Sequence, residues 1–370
     1  MSALSIPNTP DELSTDWLNQ ALKSTGTIKE ANVVSFTTVP IGDGLGFHGT
    51  LVRVSLTYDI PEEGAPLTLI SKHPAPAPEN HLVALTFQFY EREVNYYRHA
   101  AEKSLLRSPR PYYCDIDETC EKFVLLLEDF GEPSVDQLQG ATVETCYTAI
   151  KELAKFRAQF APLVQNNEMD WLLDAAEENY AGLTSAIYNS SLEPALENFG
   201  EHFSPAMREL ATTIADKVAP LMQNRVAGGV TLIHGDYKLD NLFIGKLPQR
   251  DGFPESGLAV VDWQICGKAE CVADLAYYLC SLDIETRREI EAKALRDYYE
   301  TLTAAGIKGY SFETFMVQYK SALLFALVIP VCLAGTSDKG NERGMALCRA
   351  LLDRTLAAIE DNNCSEVMPA

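Results

Sequence analysis

The sequence predicts an α+β protein of two lobes, a small antiparallel sheet early in the chain followed by a mostly helical remainder. Three observations predict it. A chain of 370 residues exceeds the usual range of one hydrophobic core, which favours two units and a cleft. Alternating and β-branched runs fall between Val33 and Leu127, and beyond them apolar residues recur at helical spacing. The expected division is a first lobe over 1–127, a hinge over 128–133 and a helical lobe over 134–370.

The first lobe begins with a helix expected over 10–23, where Asp11 or Ser14 can cap and Leu13, Trp17, Leu18 and Leu22 share a face. Strands are expected at Val33 to Val39, Thr50 to Tyr58 and Leu67 to Lys72, separated by the turn formers Gly42 to Gly46 and Pro61 to Gly64. A helical pattern from Leu82 to Glu102 follows, then strand character at Arg110 to Tyr113 and Phe123 to Leu127. Glu128-Asp129-Phe130-Gly131-Glu132-Pro133 breaks that pattern and is read as the link between lobes.

Helices are then expected at 142–164, 169–188, 205–223, 285–305, 311–335 and 341–361. Short apolar strands interrupt them at Thr231 to His234, Leu242 to Ile244 and Leu258 to Asp262. The apolar run Ala322 to Ala334, interrupted by Pro330, falls short of the roughly 20 residues that cross a bilayer and reads as a core helix. Membrane insertion is therefore not expected.

Charge narrows the partners. With 30 Lys and Arg against 52 Asp and Glu, the net charge of -22 would repel a phosphate backbone, which excludes nucleic acid as a natural partner. An acidic surface could gather a cationic substrate, although acidity spread along a chain also serves solubility. The nine cysteines form no CxxC pair and have no histidine at zinc-ligand spacing, so they read as thiols of a reducing compartment. No signal or transit pattern opens the chain, and the cytoplasm is the expected location.

The chemistry concentrates in Leu232-Ile233-His234-Gly235-Asp236-Tyr237-Lys238-Leu239-Asp240-Asn241-Leu242-Phe243-Ile244. Phosphoryl transfer to a hydroxyl needs a carboxylate near the attacking oxygen and an oxygen ligand for the metal on the phosphates. Asp236 and Asn241 supply both, on a loop flanked by apolar strands. The strand Leu258 to Val261 then ends in Asp262, a candidate main magnesium ligand, followed by Trp263-Gln264.

A lysine that reaches nucleotide phosphates must be held by a carboxylate. Lys72 ends a strand, and Glu93 offers the partner because it shares a helical face with Leu85, Phe89, Tyr96 and Tyr97, whereas Glu91 is turned away. Gly42, Gly44, Gly46 and Gly49 could lay backbone N–H groups over phosphates, although a hairpin turn describes them equally well and the GxxxxGK[ST] pattern is absent.

With these residues in hand, the chain resembles the aminoglycoside phosphotransferase and choline kinase superfamily, whose fold is protein-kinase-like, and within it the ecdysteroid-kinase-like branch. The likeness rests on Leu13 to Asn19, Lys72, Glu93-Val94-Asn95-Tyr96-Tyr97-Arg98, Leu127 to Phe130, His234-Gly235-Asp236, Asn241, Asp262-Trp263-Gln264 and Asp274-Leu275-Ala276-Tyr277. It implies a five-stranded first lobe, a helical second lobe and ATP with magnesium as cofactors. Lys72 would bind the α and β phosphates, Glu93 would pair with it, Asp236 would be the base, and Asn241 and Asp262 would hold magnesium. The backbone of Glu128, Asp129 and Phe130 would bind adenine, whereas the loop of Gly42, Gly44 and Gly46 matches the family only loosely. Asp274 would brace the catalytic loop, the plainer reading being a helix N-cap.

Two departures stand out. Relatives often carry Leu-His-Ala where this chain reads Lys155-Phe156-Arg157-Ala158, and the metal segment is Asp-Trp-Gln rather than the Asp-Phe-Gly of protein kinases. The expected activity is a kinase of a hydroxyl on a small molecule, steroid-like or otherwise hydrophobic; the alternative acceptor is cationic, an aminoglycoside, choline or related amino-alcohol. A nucleotide-binding pseudokinase would lack at least one of Lys72, Asp236, Asn241 and Asp262, and all four are present.

Overall fold

A computed structural model describes residues 4–41, 49–132, 135–226, 229–253, 256–307, 311–337 and 340–369. These divide into two compact units, one reaching to Glu132 and including Asp262–Gln264, the other holding the rest. Asp262–Gln264 thus groups with the sheet, although the expected boundaries put it in 134–370.

In the first unit, helix α1 (Thr15–Ser24) starts shortly after a 3-10 turn at Pro10–Glu12, and the Ser14 side chain caps it by accepting from the Trp17 N–H. The sheet comprises β1 (Val33–Pro40), β2 (Thr50–Tyr58), β3 (Thr68–His73), β4 (Pro111–Ile116) and β5 (Phe123–Glu128), in the order β1-β2-β3-β5-β4. Every neighbouring pair is antiparallel. Alternation along the strands assigns the faces. Trp17, Leu18 and Leu22 of α1 pack with Val52, Val54, Leu69, Val124 and Leu126 on one face. Lys72 lies opposite Leu125 in the register, hence on the other face.

Two helices, α2 (Pro78–Thr86) and α3 (Phe89–His99), replace the single one expected over 82–102. The break is at Gln88, which adopts the left-handed region at φ 57°. One straight helix would turn Phe87 and Phe89 about 200° apart. The break lets both rings sit in the core, stacked with centroids 5.8 Å apart. Leu85 consequently lies on α2 rather than on the helix that carries Glu93.

The second unit contains helices α4 (Val143–Gln165), α5 (Glu178–Phe199), α6 (Pro205–Ile214), α7 (Val218–Gln223), α8 (Ala273–Ser281), α9 (Ile284–Ala304), α10 (Phe312–Ala326), α11 (Val328–Thr336) and α12 (Glu342–Asp361). Two small antiparallel pairs join β6 (Val230–Ile233) to β9 (Gly267–Glu270), and β7 (Leu242–Lys246) to β8 (Ser256–Val260). The helix expected over 169–188 begins later, at Glu178. Residues before it are drawn into backbone pairing instead: Lys268 N–H donates to the Leu173 carbonyl and Ala175 N–H to that of Lys268, at 2.8 and 3.0 Å. The Arg225 guanidinium grips Asp174 beside them.

The expected helix 311–335 is divided at Leu327 into α10 and α11, and together Phe312–Thr336 are long and apolar enough to span a bilayer. Length therefore does not exclude a span, contrary to the reading of Ala322 to Ala334. Burial of Phe315, Tyr319, Leu323, Leu324, Val331 and Ala334 makes the segment part of the core of its unit.

Candidate active site

The sheet unit supplies a buried charge cluster. Lys72 is 5% exposed, and its Nζ lies 2.6 Å from Glu93 Oε2 and 2.8 Å from Asp262 Oδ1. Burial alone would lower the lysine's pKa, and the Asp262 and Glu93 carboxylates more than reverse this, so the ammonium is held above its ordinary value. Glu93, 1% exposed, also receives the Trp263 backbone N–H. The fully buried Trp263 ring stacks on Tyr96 of α3, with centroids 3.7 Å apart and planes at 6°. Helix α3 thereby holds the Asp262 segment in place through two side chains one turn apart. Asp262 sits at φ 66°, a left-handed conformation that costs a non-glycine residue energy and that these contacts maintain.

Glu128, the last residue of β5, gives its backbone N–H to the Arg110 carbonyl at 2.9 Å and its carboxylate to Arg107 at 2.9 Å. Its N–H is thus engaged within the sheet. Asp129 is fixed by Arg53 of β2, which also bonds Glu132 and the Gly131 carbonyl. Gly42, Gly44 and Gly46 lie outside the described residues; Gly49 precedes β2, where a Cβ would meet the His73 carbonyl at 3.1 Å.

The helical unit supplies the loop between β6 and β7. Gly235 turns the chain at φ 90°, and a Cβ there would run into the Ile265 carbonyl, so only glycine fits. Asp236 follows, with Oδ2 accepting from Lys238 Nζ at 2.6 Å and Asn241 Nδ2 at 2.9 Å. Asn241 Nδ2 also bonds the Asp236 carbonyl at 2.8 Å, which closes the loop on itself. Tyr237 anchors it to α4 through a 2.9 Å bond to the Ala149 carbonyl. Gln137, fully buried, accepts from the Leu239 N–H through its side chain and gives its backbone N–H to Asp240.

His234 bridges two strands' ends. Its Nδ1 accepts from the Asp236 N–H at 3.1 Å and its Nε2 reaches the Val261 carbonyl at 2.9 Å, which fixes the neutral tautomer carrying hydrogen on Nε2. Val261, the residue before Asp262, also gives its N–H to the Asn241 carbonyl at 3.0 Å.

Asp274 is no N-cap: α8 begins at Ala273, and Asp274, 1% exposed, accepts from the N–H groups of His234 and Gly235 at 2.7 and 2.9 Å. Sequence reasoning missed Lys238, Gln137, Arg157 and the Trp263–Tyr96 stack. Lys238 lies inside the motif and could have been found there; the others depend on contacts between distant segments.

The model of the ecdysteroid kinase-like family matches residues 43–308. Comparison with the curated proteins finds no match. Among solved structures, the chain is similar to choline kinase from Cryptosporidium parvum at 12% identity, covering 95% of this chain and 97% of that one with a TM-score of 0.55. It is also similar to wild-type aminoglycoside 2′-phosphotransferase-IIIa in its GDP complex, at 14% identity, 93% and 99% coverage and a TM-score of 0.51. At these identities the likeness establishes a shared fold, the protein-kinase-like one.

Proposed function

Because the chain belongs to the ecdysteroid kinase-like family and is a small-molecule kinase, we propose that it uses ATP and magnesium to phosphorylate a steroid-like or other hydrophobic alcohol. Lys72, kept in place by Glu93, takes the nucleotide's phosphates, Asp236 receives the proton of the attacking hydroxyl, and Asn241 and Asp262 hold the metal. The observation that carries this reading is the pair of carboxylates around Lys72, which joins the residue for phosphate to the residue for metal in one cluster.

The donor set fits magnesium. Asn241 commits Nδ2 to Asp236, so the atom it can offer a cation is its Oδ1, and Asp262 offers carboxylate oxygen; both are the hard donors this ion takes. When bound, magnesium neutralises charge on the phosphate oxygens. Lys238 and Asn241 both engage Asp236 Oδ2, and the buried Tyr277 phenol also lies in hydrogen-bond reach of this carboxylate, so that it is held in one orientation for the incoming hydroxyl. The reaction is assigned to the cytoplasm, a reducing compartment that suits nine cysteines held as thiols.

The net charge of -22 favours a second acceptor class, the cationic amino-alcohols and amino sugars. An ATP-consumption screen of pooled sterols, other alcohols, amino sugars and amino-alcohols, read by product mass, separates the two. Gain of one phosphate on a neutral hydrophobic alcohol supports the reading. Phosphate gained only by cationic compounds replaces the acceptor class, and no gain in any pool counts against the kinase.

A further inference from the structure

We propose that Arg157 is a positioning residue of the phosphotransfer loop, acting on Asp236 through Asp274 and the two backbone amides that precede Asp236. This inference rests on the kinase reading for its kinetic consequence and on geometry alone for its structural one.

Arg157 lies in α4 and is completely buried, with the Tyr298 phenol in hydrogen-bond reach. A guanidinium sealed from water requires a counter-charge, because burial disfavours its ionised form. It has one in Asp274, with which it forms an ion pair. Asp274 in turn spends both oxygens on consecutive amides, Oδ2 on His234 N–H and Oδ1 on Gly235 N–H. The arginine thus supplies the counter-charge that this buried carboxylate needs, and the carboxylate, through its two amide bonds, sets the path of the chain into Asp236.

The turn has little slack. The Ile265 carbonyl leaves no room for a Cβ at Gly235, and His234 is pinned at both ring nitrogens. If Arg157 is removed, Asp274 becomes a buried anion without its cation; it must take a proton or draw in water, and one amide loses its acceptor. Asp236 is the next residue, so the displacement reaches the carboxylate directly. Misplacement of a reacting group by about 1 Å costs about 100-fold in rate.

The test uses the full chain with Arg157→Met, Arg157→Lys and the charge-balanced double variant Arg157→Met/Asp274→Asn. Two quantities are read: kcat and KM for ATP with an accepted alcohol, and hydrogen exchange at the His234 and Gly235 amides. We expect Arg157→Met to lower kcat about 100-fold with KM for ATP within about threefold, and to speed exchange at those two amides while the rest of α4 and α8 stays protected. Arg157→Lys should regain at least about tenfold of the loss. If Arg157→Met does not fold, the double variant decides, since it buries no unpaired charge but its carboxamide offers one acceptor to two amides; faster exchange and lower kcat are expected there too. Wild-type exchange at His234 and Gly235 in a folded variant overturns the positioning role even in an active kinase. Absence of phosphotransfer by the unaltered chain would strike the kinase reading instead, and exchange would still judge Arg157.

Discussion

Lys72 and Asp262, 190 residues apart in the chain, form an ion pair with Nζ 2.8 Å from Oδ1, and Glu93 closes on the same ammonium at 2.6 Å. The lysine therefore answers two carboxylates at once.

Removal of that lysine leaves two acids facing each other, one of them fully buried. Lys72→Met should destabilise the fold by roughly 3–5 kcal/mol and abolish productive use of ATP. Adding Glu93→Gln should recover about 1 kcal/mol or more of stability by removing the buried anion, without restoring activity. Urea denaturation and saturation kinetics for ATP measure the two halves; a double variant no more stable than the single one contradicts the charge argument.

The stack of Trp263 on Tyr96 fixes the segment that follows Asp262. Trp263→Ala should cost about 3–5 kcal/mol through the cavity it opens, and Trp263→Phe clearly less. Because Asp262 is held at φ 66° by these contacts, the alanine variant should also bind magnesium-nucleotide more weakly. Thermal melts and nucleotide titration check both, and an alanine variant melting like the wild type would remove the stack from its role.

His73 lies on the sheet face opposite Lys72, buried between the Pro7 carbonyl and the Ser71 hydroxyl. Burial lowers its pKa to about 4. Between that value and the unfolded value of about 6.5, the unfolded chain binds more protons, so stability falls as pH drops through this window, by up to about 3 kcal/mol. His73→Gln keeps a donor and an acceptor but does not titrate. Its denaturation midpoint should fall less than the wild type's between about pH 7 and pH 4.5, and equal falls would exclude the histidine as the cause.

Gly235→Ala introduces a Cβ into the Ile265 carbonyl at a backbone angle that alanine resists. The expected result is a loss of about 1–3 kcal/mol of stability and a kcat lower by about 100-fold, since Asp236 is the next residue. Activity assays at a temperature where the variant stays folded provide the check; retained turnover would show that the turn tolerates displacement.

The sheet was legible because β-branched alternation is a local signal: the expected Thr50 to Tyr58 coincides with β2, and Phe123 to Leu127 falls within β5. So was the inward turn of Glu93, through its spacing from Phe89, Tyr96 and Tyr97. Helix continuity was less legible, because the choice at Gln88 depends on where Phe87 and Phe89 find partners. The start of α5 depends on a pairing between residues 173–175 and Lys268, and β9 on its ladder with the distant β6, since a polar run of Gly-Lys-Ala-Glu carries no strand signal of its own. Arg157 was equally opaque. Its neighbours in sequence say nothing of Asp274, which lies 117 positions further on (274 minus 157).

The imidazole at the start of the loop bears on where a proton can travel. With Nδ1 receiving an amide hydrogen and Nε2 giving its own to a carbonyl, His234 has no lone pair left for a substrate hydroxyl. It behaves as a structural rivet rather than a relay. Under the proposed reading, the proton of an acceptor hydroxyl goes to the neighbouring Asp236 carboxylate and not to this ring.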